Sequence, residues 1–221
     1  MDRPNSDLEA IAQRIRSSFS TKDAAREKAL PLCRETIRYC ANAIRAAHRG
    51  QSDDARSSLD SARNLLQELN ETLAEHNELL NAGFVHDAQK EYAEGYATLS
   101  LILGEAIPDP ETVGVSYAAY LHGLAEAVGE MRRHLLDTIR KGDISRCEEL
   151  LSTMDDIYGV LVTMDFPDAL THGLRRMTDV VRGILEKTRG DLTLALRQKD
   201  LEQKMKHFEE VIESLDEPHQ R

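Results

Sequence analysis

Two short carboxylate motifs contain the residues best suited to chemistry in this sequence. Glu91 and Glu94 are three residues apart, and Glu126 and Glu130 are four apart. Each pair lies within a pattern typical of an α-helix, where residues three or four apart share a face. Each pair therefore presents two carboxylates in one direction. If the two helices pack side by side, four carboxylates could meet at one place.

Four carboxylates at one place would repel one another unless a cation lay among them. Ligand sets made only of oxygen suit Mg²⁺ or Mn²⁺ better than Zn²⁺. Such a metal can activate water and stabilise the charge that develops on a phosphodiester. A di-iron centre is excluded because it needs Glu-x-x-His twice, and none of the eight histidines follows a glutamate at that spacing. No serine or cysteine triad pattern and no glycine-rich nucleotide motif stands out.

A solvent-exposed acidic face is the second interpretation of these carboxylates. Glu126 lies about 200° around the helix axis from its apolar neighbours Leu124 and Val128, and Glu94 has the same phase in its own pattern. This phase directs the carboxylates away from the main core, and charged side chains are mostly exposed. A metal site then requires assembly or chain packing to enclose the acidic face. The nearby histidines His86, His122 and His134 are likewise interpreted as surface residues.

The elements that carry these motifs are predicted to be helices. The chain has 221 residues with only 12 Gly and 6 Pro, and no alternating apolar run long enough to predict a strand. Predicted N-caps include Ser6, in a capping box with Glu9, as well as Ser52 and Asp143. We expect helices over residues 6–48 (with a break at 17–20 and a kink at Pro31), 52–81 (with a break near Leu73), 84–105, 110–141, 143–164 and 169–214.

Short connections between these helices predict an all-α fold, an antiparallel helical bundle with a long C-terminal helix. We expect one domain over residues 1–215 and a frayed polar tail over 216–221. No segment resembles a signal peptide or approaches the roughly 20 apolar residues of a membrane span. A soluble protein without a membrane partner is therefore expected.

Charge and cysteine content bear on the partners and the compartment. The net charge of −11 argues against nucleic acid, but the first 49 residues carry 10 Lys and Arg against 6 Asp and Glu. This basic helix is either a solvated face or a binding surface. Cys33, Cys40 and Cys147 form no C-x-x-C pair, which argues against a disulfide framework or a zinc site. A reducing, cytoplasmic location fits best.

Several motifs taken together resemble one family. They are Glu91-Tyr-Ala-Glu94, the residues from Tyr120 to Arg133, Asp155-Asp-Ile-Tyr158, Phe166-Pro-Asp-Ala169 and the residues from Leu174 to Glu186. Their order and spacing resemble the translin family, and within it the branch of translin-associated factor X (Trax) and its archaeal relatives. The resemblance covers residues 24–198.

The resemblance implies a seven-helix bundle and a metal-dependent endoribonuclease that binds RNA inside a hollow homo-octamer. It implies that Glu91, Glu94, Glu126 and Glu130 are the catalytic residues and bind Mg²⁺ or Mn²⁺ inside the shell. Glu126 departs from the family pattern, which has Asp at this position. The alternative is a non-catalytic shell that binds RNA or single-stranded DNA, as translin does. A translin-like partner chain is also implied, because eukaryotic relatives form mixed shells.

A shell that encloses nucleic acid would explain a basic lining within an acidic particle. Phosphate contacts supply affinity that is independent of sequence and falls as salt rises. From their helical faces, we expect this lining to include the basic side chains Arg34, Arg38, Arg45, Lys90 and Arg133. A third hypothesis is a helical scaffold that binds only protein.

Overall fold

A computed structural model describes the backbone of residues 5–216 and the side chains of residues 7–212. The described chain is α-helical, which confirms the predicted all-α class with a long last helix. The predicted tail beyond Asp216 lies outside the described residues. None of the described helices is long and apolar enough to cross a membrane. The helices are α1 (Asn5–His48), α2 (Ser52–Leu73), α3 (Asn77–Leu80), α4 (Gly83–Leu103), α5 (Pro110–Val113), α6 (Tyr117–Arg140), α7 (Cys147–Thr163), α8 (Asp168–Thr171) and α9 (Leu174–Asp216).

Helix α1 is continuous where the sequence predicted a break. It runs through residues 17–20 and past Pro31, so the predicted break was wrong. The hydroxyl of Thr21 donates to the carbonyl of Ser17 within the same helix, instead of capping a new one. The chain is already helical at Asn5, so Ser6 does not cap the helix start, and its side chain lies outside the described residues.

Two other predicted N-caps were also wrong. Helix α2 includes Ser52, and the cap position falls on Gln51, whose amide donates to Asp54 at 3.1 Å. Asp143 does not cap α7, which begins four residues later at Cys147. Its carboxylate instead accepts hydrogen bonds from the backbone N–H and the hydroxyl of Ser145. These two hydrogen bonds form a local turn that competes with the helix.

Residues in the left-handed region divide two helices that were predicted to be continuous. Gly114, with φ of 75°, separates α5 from α6. His172 and Gly173, with φ of 51° and 83°, separate α8 from α9. A left-handed residue after the last turn ends a helix. The four-residue helices α5 and α8 are thereby set apart from the long helices that follow them.

The chain groups into two compact units, and the predicted single domain stays a prediction. The first unit comprises the described residues up to Ala127 together with Phe166–Leu174. The second comprises Val128–Asp165 and the described residues from Arg175 onward. In the second unit, Arg132 of α6 donates to Thr188 and Asp191 of α9.

The core of the first unit forms where α1, α2 and α4 pack together. Leu59, Leu69 and Tyr92 are almost fully buried there, and burial of such side chains stabilises the fold by about 1.5–3 kcal/mol each. The buried hydroxyl of Tyr92 accepts a hydrogen bond from Arg63 at 3.1 Å. Cys33 and Cys40 are free, buried thiols in this core, and burial raises the pKa of Cys33 to about 11.

Helix α6 touches α4 at Gly123, where the two backbones meet. An added Cβ at Gly123 would lie 2.6 Å from the Cβ of Ala93, 2.8 Å from the amide nitrogen of Glu94 and 2.8 Å from the carbonyl oxygen of Lys90. No side chain larger than hydrogen fits there without separating the helices. This close approach holds α6 against the face of α4 that carries Lys90 and Glu94.

Substitution of Gly123 by alanine tests this contact. We expect Gly123→Ala to reduce the free energy of unfolding by about 1–3 kcal/mol, because the methyl group overpacks a backbone contact. The matched control is Gly159→Ala in α7, where an added Cβ meets nothing within 4 Å and should stabilise the helix by up to about 1 kcal/mol. Urea unfolding followed by circular dichroism measures both. Equal stability of the two variants would contradict the close contact.

Candidate functional site

Three of the four predicted carboxylates come together in the first unit. Glu91 and Glu94 on α4 and Glu126 on α6 place carboxylate oxygens within 4.8 Å of one another. Glu94 is buried, with 8% of its surface exposed, and the other two are half-buried. We call these three residues the carboxylate cluster. A solvent-exposed acidic face was therefore the wrong interpretation for Glu94.

Helix α6 has a second packing face, which explains why the helix phase did not predict the burial of Glu94. Ala119, Gly123 and Ala127 recur every four residues and are buried although none is large. The apolar stripe used to orient α6 consisted of large side chains, and it missed this row of small residues. Small residues let helices approach closely, as Gly123 does against α4. The repeat of small residues was the sequence signal that could have identified this face.

Lys90 supplies a positive charge within the carboxylate cluster. Its ammonium nitrogen lies 2.8 Å from Glu126 Oε1 and 3.4 Å from Glu91 Oε1. Only 18% of the lysine side chain is exposed. Lys90 was predicted to bind nucleic acid, and the structure places it among the predicted metal ligands. Two of the three carboxylates therefore share one ammonium group, which partly offsets the repulsion within the cluster.

The pKa shifts in the cluster reflect this balance. Burial raises the pKa of Glu91, and the negative charge of Glu126 raises it further, whereas Lys90 acts in the opposite direction. Burial alone would lower the pKa of Lys90, but the hydrogen bond and charge of Glu126, together with the charge of Glu91, outweigh burial and raise it. The lysine is thus held charged, while Glu91 is less stable as an anion than an exposed glutamate.

Glu130, the fourth predicted ligand, follows Glu126 by one turn of α6 and belongs to the second unit. Its carboxylate lies 3.6 Å from Arg133, whose side chain is 56% exposed. Arg133 was predicted to bind nucleic acid, and in the structure it is the ion-pair partner of a predicted metal ligand. Glu130 is not among the three residues of the carboxylate cluster.

The other predicted nucleic-acid-binding residues lie on α1. Arg34, Arg38 and Arg45 are exposed. Arg38 pairs with the neighbouring Glu35, and Arg45 donates to Asn42. An exposed ion pair such as Arg38–Glu35 contributes little to stability. Their role in binding stays a prediction.

Sequence reasoning missed a cluster of three histidines in the first unit. The rings of His86 on α4 and His172 are stacked, with centroids 4.4 Å apart and an interplanar angle of 11°. The ring of His122 on α6 meets His86 edge-on at 5.3 Å. His122 is only 8% exposed, so its interpretation as a surface residue was wrong. Its Nε2 donates to the carbonyl of Thr171 at 2.8 Å, because a carbonyl can only accept.

In the histidine cluster, the ring of His86 is uncharged and the backbone of His172 is strained. Burial, with smaller contributions from His172 and His122, lowers the pKa of His86 to about 4, so this ring is uncharged at neutral pH. His172 has a positive φ of 51°, and every other described residue with a positive φ is a glycine. A non-glycine residue in this region costs on the order of 1–3 kcal/mol, and such strain is often found at functional sites.

Both clusters lie along the same pair of helices. On α4, His86, Lys90 and Glu94 are spaced four residues apart, as are His122 and Glu126 on α6. His86 faces His122, and one turn further on Lys90 faces Glu126. Four residues of helix span about 6 Å along the axis. The histidine cluster therefore directly adjoins the carboxylate cluster.

The chain has relatives among known proteins and solved structures. No protein-family model matches it. The uncharacterized protein MJ0175 of Methanocaldococcus jannaschii is 31% identical over 192 residues, which are 86% of this chain and 85% of that protein.

Three solved structures share the fold. The crystal structure of AfC3PO is 33% identical with a TM-score of 0.77, and the match covers 85% of this chain and 97% of AfC3PO. The complex of AfC3PO with duplex RNA matches with the same identity and coverage and a TM-score of 0.74. Apo-NeC3PO is 19% identical with a TM-score of 0.74, over 88% of this chain and 99% of NeC3PO, and supports the fold alone. Because AfC3PO is 33% identical over nearly its whole length, this chain belongs to the translin family, the family of the C3PO proteins.

Proposed function

We propose that this protein is a metal-dependent endoribonuclease of the Trax type that hydrolyses RNA phosphodiesters. The observation that carries the proposal is the meeting of Glu91, Glu94 and Glu126 from two helices within 4.8 Å. The complex of AfC3PO with duplex RNA supports RNA as the substrate, because that protein is 33% identical to this chain.

The donor set of the carboxylate cluster fits a hard divalent cation. It offers only carboxylate oxygens, the ligands preferred by Mg²⁺ and Mn²⁺. Glu91 and Glu94 on α4 and Glu126 on α6 would hold the ion, with Glu130 as the proposed fourth ligand. A bound ion would supply an activated water and stabilise the charge developing on the phosphodiester. Glu126 stands where the family pattern has Asp, and its longer side chain still reaches the other two carboxylates.

Lys90 has two tasks in this proposal. Without a metal, its ammonium neutralises part of the cluster and keeps Glu126 close to Glu91. When a cation compensates the carboxylates, the ammonium is available to hold a phosphate oxygen of the RNA. A phosphate contact is what the sequence predicted for this lysine, and the cluster places that contact beside the reacting bond.

The proposed working form is a cytoplasmic homo-octamer that encloses RNA, with Arg34, Arg38, Arg45 and Arg133 in its lining. Free, buried thiols suit a reducing compartment. Large apolar side chains exposed on the single chain support contacts with further copies or with a translin-like partner. These include Leu8, Phe19, Leu194, Leu201, Met205 and Phe208.

A non-catalytic shell that binds RNA or single-stranded DNA is the alternative. It is favoured by the lysine in the cluster, which compensates the carboxylates without any metal. In this alternative the carboxylates and Lys90 are a structural ion-pair network. Nucleic-acid binding would then be sensitive to salt and survive loss of the carboxylates, and no cleavage would occur.

Replacement of Glu94 by glutamine separates the two alternatives. We expect Glu94→Gln to slow RNA cleavage in Mg²⁺ or Mn²⁺ more than about 100-fold, because loss of even an indirect ligand partner costs about 10- to 100-fold. RNA binding should persist. Cleavage of a labelled RNA, with and without chelator, measures the effect. The matched control is Glu68→Gln on the exposed face of α2. Equal cleavage by wild type and Glu94→Gln would refute the catalytic assignment.

Replacement of Lys90 by methionine tests its role as the internal cation. We expect Lys90→Met to destabilise the metal-free protein by about 1–2 kcal/mol, because Glu91 and Glu126 lose their shared counterion. Added Mn²⁺ should raise the melting temperature of this variant more than that of wild type. The control is Lys22→Met, which removes a surface partner of Glu78 and should cost less than about 1 kcal/mol. Equal Mn²⁺ responses of Lys90→Met and wild type would argue against a shared cation position.

The arginines of α1 test the proposed lining. Each of Arg34→Gln, Arg38→Gln and Arg45→Gln should weaken RNA binding uniformly across sequences and reduce the slope of log affinity against log salt by about one. Fluorescence anisotropy at several salt concentrations, with a chelator present, measures this slope. The control is Arg56→Gln on α2, which removes a surface ion pair with Glu105. Unchanged slopes in all three variants would remove these residues from the lining.

A further inference from the structure

The histidine cluster opens into a pocket that the proposed catalytic chemistry does not use. The pocket encloses about 450 Å³ within the first unit, inside the range of small-ligand sites, about 300–1,000 Å³. His86 and His172 form one wall, Asn81 and Gln89 provide amide groups, and Leu170 lies at the rim.

We propose that this pocket binds an unpaired nucleobase of the RNA, next to the phosphodiester that is cleaved, and that the ring of His172 stacks on that base. The inference rests on the proposed ribonuclease function and specifies its substrate, because only a nucleotide that is unpaired or flipped out can enter. It is carried by the ring geometry, the hydrogen-bonding groups of the pocket and its position beside the carboxylate cluster.

The ring geometry favours a flat ligand. His86 covers one face of the His172 ring at 4.4 Å and nearly in parallel, so a base on the opposite face would extend an existing stack. Histidine is among the side chains on which unstacked RNA bases are held. The left-handed conformation of His172, where glycine or asparagine is the usual residue, is explained if the ring itself is needed. His122 positions it by holding the carbonyl of the preceding Thr171 at 2.8 Å.

The amide groups of the pocket can read the edge of a base. Gln89 Oε1 accepts from the backbone N–H of Ser116 at 3.2 Å, which fixes the amide and leaves its NH₂ group to donate. Asn81 donates to the carbonyl of Asn77 at 2.8 Å, which leaves its own oxygen to accept. One donor and one acceptor in fixed positions match the mixed edge of a nucleobase.

Other ligand classes fit the pocket less well. The histidine nitrogens do not join any group of potential metal ligands within the described residues, and His122 Nε2 is committed to a carbonyl. A phosphate in this pocket would need a cation, but no lysine or arginine is among its described lining residues, and His86 is neutral. A neutral planar ring satisfies both constraints.

The position along the helices places the base next to the reacting bond. His86 precedes Lys90 by one turn, about 6 Å along α4. That separation is comparable to the distance between neighbouring nucleotides of one strand. A phosphodiester at the carboxylate cluster therefore puts an adjoining base within reach of His172.

A fluorescent base analogue tests the proposal. Short RNAs carrying 2-aminopurine at one position are bound to the full chain with a chelator present, so that no cleavage occurs. Anisotropy of a terminal dye reports binding, and 2-aminopurine emission falls when that base is stacked. With wild type, we expect the emission to be quenched on binding. His172→Asn keeps a residue that accepts the left-handed conformation, and should abolish the quench and weaken binding about tenfold.

Two further variants complete the test. His172→Phe restores an aromatic ring and should restore the quench, whereas His207→Asn on α9, at an exposed histidine, should behave as wild type. If wild type binds RNA but His172→Asn shows the same quench at every position, the base-binding pocket is wrong and the ribonuclease proposal stands. If wild type binds no RNA at low salt, the proposed function itself fails.

Discussion

The close backbone contact between α4 and α6 at Gly123 is the constraint on which the site depends. Because nothing larger than hydrogen fits between Gly123 and Ala93 or the Glu94 amide, the side chains that flank this contact are brought together. Lys90 meets Glu126, and His86 meets His122. A glycine thus sets the spacing of both clusters, although it takes no part in their chemistry.

The same contact brings like-charged carboxylates together, and their mutual repulsion favours binding of a cation. Packing α4 against α6 removes Glu94 from solvent and brings Glu91 and Glu94 close to Glu126. Burial of like charges is unfavourable unless a cation compensates them, and Lys90 pairs with Glu126 and Glu91. A divalent cation at the cluster would take over this compensation.

Sequence reasoning succeeded where the signal is local and failed where it depends on packing. The helices around Glu91 and Glu126 follow from apolar periodicity, and the family suggested by the motifs is confirmed by the 33% identity to AfC3PO. The burial of Glu94 was missed because large apolar residues alone were taken to mark the buried face of each helix. Helix α6 also packs against α4 through Gly123, which has no side chain. The histidine cluster was missed because His172 lies 86 positions after His86 in the chain. Its contact with His86 also depends on its left-handed backbone conformation, which the sequence did not indicate.

An anomalous-difference map from crystals grown with Mn²⁺ would show whether the carboxylate cluster binds a divalent cation. We expect one Mn²⁺ peak bound by oxygens of Glu91, Glu94 and Glu126, with the Lys90 ammonium displaced from its 2.8 Å contact with Glu126. The contrary result is a map without a peak at these carboxylates at saturating Mn²⁺, and a lysine that keeps both of its ion pairs.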